Sequence, residues 1–208
     1  DTGHPRHNKW FHTIGPQFSA DMYGMIAPGM VNLAGSLARR YSHVNGYAEG
    51  SDGAVFVAAC VSEAFFEKDP EKIVRKAVQL IDPRSNYRQA IEQVLEGHAR
   101  GLSFQELARQ TEDRWRPDYP QMNNSVPNGA LVAIGLLYGG GDFLRTLNVT
   151  TQLADFADAD CNAANAGAVI GAMHGIAAIP ENLQAQFQDR IWGESMGPIQ
   201  FHKPIDEK

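Results

Sequence analysis

Apolar residues recur at three- and four-residue spacing along nearly all of the chain after residue 30, and strict alternation is scarce and short. The pattern predicts an all-α protein. Asp69-Pro70-Glu71 supplies a cap, a first-turn proline and an acid, after which Ile73, Val74, Ala77, Val78 and Ile81 fall on one face. A second helix is expected from Ser85, burying Ile91, Val94 and Leu95. Ser103-Phe104-Gln105-Glu106 has capping-box spacing and opens a helix that should end near Trp115, stopped by Pro117. Two stretches are apolar all round. Residues 53–67 carry Val55, Phe56, Val57, Val61, Phe65 and Phe66, and residues 129–138 carry Leu131, Val132, Ile134, Leu136 and Leu137. Helices of that kind belong at the centre of a bundle, and Phe56, Phe65 and Phe66 are all expected in the core. Gly139-Gly140-Gly141 and the stretch from Pro117 to Pro127 read as connections, the second able to border a cleft. Residues 1–12 read as a loosely held segment, with His4, His7 and His12 in a surface loop rather than a metal site, because no thiolate or carboxylate stands near them.

Composition narrows the function. A chain of 208 residues, 43% hydrophobic and 20% charged, can bury one full core, so residues 1–208 are expected to form a single domain, with 1–12 and 184–208 peripheral. Net charge is −6 and no Lys/Arg run exists, which argues against general nucleic-acid binding. An anionic ligand would need a metal or helix termini to hold it. No stretch approaches the length of a membrane span, and no signal pattern stands at Asp1. Compartment stays open. Cys60 and Cys161 cannot be paired from spacing.

The densest chemistry is Asp158-Ala159-Asp160-Cys161-Asn162, followed by a run of alanines and glycines through Ala172. Alternate carboxylates can aim oxygens at one hard cation, and the helix start beside them adds backbone N–H groups and a positive dipole end. The same residues also make an ordinary helix cap, and both readings stay open on chemistry alone.

Together with that motif, several segments occur in a specific order: Ile14-Gly15-Pro16-Gln17, Ala20-Asp21, Ala27-Pro28-Gly29-Met30, Ser42-His43, Asn45-Gly46, Asn128-Gly129-Ala130, Gly135-Leu136-Leu137-Tyr138-Gly139 and Ile179-Pro180. Over about residues 13–183 the chain resembles the C-terminal part of the ADP-ribosylglycohydrolase family, in its larger bacterial branch. The resemblance implies a multi-helix bundle around a cleft holding two Mg²⁺ ions, and hydrolysis of the bond joining ADP-ribose to an acceptor. The substrate would be an ADP-ribosylated protein or a small ADP-ribose conjugate. It puts Asp158, Asp160 and Cys161 at metal positions, with the two aspartates also catalytic. The usual motif is Asp-x-Asp-Thr or Asp-x-Asp-Ser. A neutral thiol suits Mg²⁺ poorly, so Cys161 is expected to act through its backbone carbonyl or not at all. His43, Asn45, Gly46, Gly29, Asp21, Asn128 and Tyr138 match motifs that imply substrate contacts, and His43 should share a cleft with the aspartates. The glycines and His43 have equally plain readings as turns and a helix end. The family's first metal motif, a Thr-Asp-Asp type run, has no counterpart before Ser42-His43. Thr111-Glu112-Asp113 falls after that segment, on an expected solvated face. The expectation is therefore the second portion of a longer enzyme, or alternatively an inactive member with a structural or ADP-ribose-binding role.

Overall fold

The structure, a computed structural model, describes residues 2–153 and 157–186. Among them there is no strand, only an isolated antiparallel bridge between Thr13 and Asn124. The helices are α1 (Gly15–Phe18), α2 (Asp21–Met25), α3 (Val31–Ser42), α4 (Glu49–Ala64), α5 (Pro70–Val78), α6 (Asn86–Ala99), α7 (Phe104–Trp115), α8 (Ser125–Gly139), α9 (Phe143–Thr151), α10 (Ala159–His174) and α11 (Glu181–Gln184), with a 3-10 turn at Gly175–Ala178. No described helix is long and apolar enough to cross a membrane.

Local chemistry sets several boundaries. Asp69 caps α5 by accepting from the Glu71 and Lys72 amides, and Ser85 caps α6 by accepting from Tyr87. At α7 the capping box is complete: Ser103 accepts from the Glu106 amide while the Glu106 carboxylate accepts from the Ser103 amide. Ser103→Ala is expected to cost about 1 kcal/mol, read from the midpoint of urea unfolding. An unchanged midpoint would show that the cap contributes nothing.

The two helices without a polar face are the centre of the molecule. α4 packs against α1, α2, α3, α5, α6, α8 and α10, and α8 also against α5, α6, α7, α9 and α10. Tyr87 of α6 is wholly buried between them, its ring centroid 5.9 Å from that of Phe56. Gly129 makes room for it, since a Cβ there would lie 2.3 Å from Tyr87 Cζ. Tyr87 Oη donates to Gln17 Oε1 at 3.0 Å, tying α6 to α1 through the core.

Four details depart from the sequence reading. Phe65 and Phe66 lie past the end of α4 and are 39% and 74% exposed, so only Phe56 of the three is core. α8 begins at Ser125, with Pro127 in its first turn where a missing N–H costs nothing, so the preceding connection is shorter than expected. Thr111 is buried in α7, and Glu112 beside it pairs with Arg116, so that face is not simply solvated. Residues 2–12 are pinned rather than loose: the Gly3 amide donates to His43 O, Asn8 Nδ2 to Asn45 O, and the Tyr47 amide to Phe11 O. The expected peripheral segment 184–208 lies mostly outside the described residues.

Candidate metal centre

α10 is made almost wholly of small residues, which lets it close on α4, α8 and α9 at once. Its start is therefore fixed by packing on three sides. Asp158 is the residue before the first turn; its side chain makes no regular capping bond, and its carboxylate interacts with Asp160 and with the Cys161 thiol and backbone N–H. Asp160 and Cys161 follow within that turn. One ligand atom from each of Asp158, Asp160 and Cys161 can be chosen so that all lie within 4.8 Å of one another. Asp160 is exposed, while Asp158 and Cys161 are half-buried.

The charges interact strongly. Partial burial, then a hydrogen bond shared with Asp160, holds the Asp158 carboxyl above the usual aspartate range. That same bond, with the backbone N–H groups of Cys161 and Asp160, holds Asp160 below it. Two carboxylates this close repel one another when both are ionised, and Asp158 is the one whose charged form is disfavoured. A divalent cation between them would offset that repulsion. Burial and the neighbouring Asp158 push the Cys161 thiol up to about 11. It is thus a neutral thiol at physiological pH, a poor partner for a hard cation. The two aspartates fit Mg²⁺, and the Cys161 side chain does not.

Behind the aspartates lies a buried amide network. Asn128 Oδ1 accepts from the Asp158 amide at 3.0 Å and from Asn162 Nδ2 at 2.7 Å. Asn128 Nδ2 donates to Met122 O and Asn124 O at 2.7 and 2.6 Å. Asn128 is 0% exposed, so it does not meet substrate as the motif match implies; it joins the starts of α8 and α10. Asn162 Oδ1, Asn124 Oδ1 and His12 Nε2 are buried without a partner among the described residues. Each such atom costs about 1–3 kcal/mol if left dry, which makes ordered water reasonable there. The sequence reading passed over Asn162 as a ligand-region residue, although its place four residues after Asp158 puts both on one helix face.

The other expected contacts fall elsewhere. His43, Asn45 and Gly46 gather at the end of α3 around residues 3–16. The His43 ring stacks on Tyr47 at 4.6 Å, and a Cβ on Gly46 would lie 2.2 Å from Pro16 Cγ. Gly46 thus permits approach of the chain's own Pro16, not of a ligand. Residues 11–16 link this cluster to the start of α8: Phe11 O accepts from the Tyr47 amide, whereas the Ile14 amide donates to Asn123 O and His12 O accepts from the Ser125 amide. Gly29 (φ +72°) turns the chain between α2 and α3 beneath the Phe66 ring, which already fills the space above it. Asp21 opens α2, its carboxylate accepting from the Met22 amide. Tyr138 donates to Leu102 O and packs edge-on to His98. It sits at the far end of α8 from Asn128, about 15 Å away along the axis, and is not part of the aspartate group.

A groove of 830 Å³ opens between α3 and the end of α5, lined by Asn32, Ser36, Arg39 and Gln79 among others. Its Arg39 is already paired with Asp52 at 2.8 Å, and it holds none of the clustered acids, so the chemistry of α10 rather than cavity size defines the candidate centre.

No curated protein and no solved structure matches this chain. Residues 19–203 match the family described as ADP-ribosylglycohydrolase, a span that holds all of α2 through α11 and the acidic cluster. With an all-helical fold and an Asp-x-Asp pair at the start of its small-residue helix, the chain belongs to the ADP-ribosylglycohydrolase family.

Proposed function

We propose that Asp158 and Asp160 hold Mg²⁺, and that the chain serves hydrolysis of the glycosidic bond between ADP-ribose and an acceptor, either a protein side chain or a small molecule. The observation that carries this is the convergence of the two carboxylates at the start of α10, with Asp158 uncapped and Asp160 open to solvent. Bound Mg²⁺ would supply a water of lowered pKa and an anchor for ribose hydroxyls.

The residues divide the remaining work. Asp158, half-buried and fixed from behind, gives the site its rigid side. Asp160 is exposed and stays ionised, so it can orient the attacking water and accept its proton as the bond from the anomeric carbon to the acceptor breaks. The carboxylate charge offsets positive charge developing on the sugar, and Asp160 then passes the proton taken from water to the leaving acceptor, which returns it to its ionised form. His43 is held neutral by partial burial and by Arg39, so with Asn45 it offers uncharged hydrogen-bonding groups for a distal part of the substrate. Cys161 adds at most its backbone carbonyl.

Titrating Mg²⁺ and then ADP-ribose into the chain by calorimetry tests the reading. Uptake of ADP-ribose only with Mg²⁺ present is the expected result; a folded chain that takes up neither would remove it. Turnover of an ADP-ribosylated peptide separates the enzyme from an inactive member, a reading that the thiol at Cys161 favours over a standard hard-ligand set. Binding without turnover would point to the inactive member.

The sign of the pH dependence follows from Asp158. Its proton must leave before it can ligate, and its carboxyl is raised, so Mg²⁺ affinity should fall with a midpoint above the ordinary aspartate value of about 3.9. A series of titrations from pH 7 downward would show it. A midpoint at or below that value would contradict the assignment of Asp158 as a ligand.

A further inference from the structure

Asn128 spends all of its hydrogen-bonding capacity on fixing one place. Its two N–H donors go to Met122 O and Asn124 O, at and just before the start of α8, and its oxygen receives both the Asp158 amide and Asn162 Nδ2. The direction of each bond is forced. Met122 O and Asn124 O can only accept, so the amide must present its nitrogen to them and its oxygen to α10. Asn162 must then turn its own nitrogen toward Asn128, which leaves Asn162 Oδ1 buried and without a partner among the described residues. Asn128 and Asn162 are 0% and 1% exposed, so water does not substitute for these bonds from bulk solvent. The Asp158 amide is one of the free N–H groups of the α10 start, and its acceptor comes from another helix rather than from a cap of its own.

We propose that Asn128 is the positioning residue of the metal centre: by clamping the Asp158 amide it sets the backbone from which the Asp158 carboxylate reaches the cation. This deepens the Mg²⁺ assignment of Asp158 and Asp160 and rests on it. Asn128 touches neither substrate nor cation. Its role differs from that of a general core residue because its bonds end on the ligand residue itself and on the next turn of the same helix.

The test compares Asn128→Leu, which keeps the branched skeleton and removes the amide, with Tyr138→Phe, which removes the bond to Leu102 O at the opposite end of α8. Both are expected to melt at lower temperature than the wild type. Only Asn128→Leu is expected to weaken Mg²⁺ binding, by at least about 10-fold in calorimetric titration of the folded protein, the loss usual for a partner that orients a ligand. Amide hydrogen exchange of the wild-type chain without metal supplies a measurement that needs no variant. The Asp158 amide should be protected before any Mg²⁺ is added. Free exchange at Asp158 would overturn the proposal, as would unchanged Mg²⁺ affinity in folded Asn128→Leu. A wild-type chain that takes up no Mg²⁺ would instead overturn the metal assignment beneath it.

Discussion

Asp160→Asn is expected to abolish Mg²⁺-dependent binding of ADP-ribose while leaving the metal-free protein about as stable as the wild type. Both effects come from one arrangement. Without a cation, Asp160 is ionised beside Asp158, whose carboxyl is raised by burial and by that neighbour. Removing the Asp160 charge relieves like-charge contact but also gives up its bonds to backbone N–H groups, so thermal melting in chelator should stay about level. With Mg²⁺, the same substitution replaces a strong anionic ligand by a neutral amide, and affinity should fall about 100-fold or more, beyond the roughly 10- to 100-fold typical of losing a residue that only orients a ligand. The rise in melting temperature that Mg²⁺ gives the wild type should vanish with it. The two carboxyls contribute with opposite pH dependence. A raised Asp158 adds stability below its unfolded pKa and loses it as pH climbs through the folded value, whereas a lowered Asp160 adds stability above the unfolded pKa and loses it as pH falls. The two partly cancel in the metal-free chain, and deleting Asp160 should leave acid stability little changed. An Asp160→Asn protein that melts well below wild type in chelator would mean that the pair is a structural cap, and that the proposed centre is misread.

Much of the fold was legible because its signals are local. A capping box needs only Ser103 and Glu106, and the faces of α5 and α6 follow from residues three and four apart. The two central helices were visible from their lack of any polar face. The site was legible only in part, for a physical reason. Asp158 and Asp160 are two residues apart, so their convergence is fixed by a single helix start. The residues matched to substrate contacts are separated by long stretches of chain, and where they go depends on tertiary packing. Asn128 and Tyr138 occupy one helix, yet one faces the α10 start and the other the α6–α7 connection. Gly29 and Gly46 give close approach as expected, but what approaches is Phe66 and Pro16 of the same chain. The network of Asn124, Asn128 and Asn162 had no pattern to find it by, because polar residues on an otherwise apolar helix look like exceptions until their partners are seen.

The sharpest contrast within one helix and its exit is between Phe56 and Phe66, which the periodicity treats alike. Phe56→Ala is expected to destabilise the protein by about 3–5 kcal/mol, since the side chain is 0% exposed and α4 is enclosed by seven other helices that cannot collapse together into the space. Phe66→Ala should cost about 0.5 kcal/mol, because 74% exposure leaves little apolar surface to lose beyond contact with the Gly29 turn. The difference arises at Ala64, where α4 ends. Up to that residue every side of the helix meets a neighbour, and past it the chain turns outward toward Asp69 and the start of α5. Chemical denaturation of both variants gives the comparison directly, with the slope against denaturant checking that each remains two-state. Equal losses would place Phe66 in a buried contact and return it to the core, where the hydrophobic pattern alone had put it.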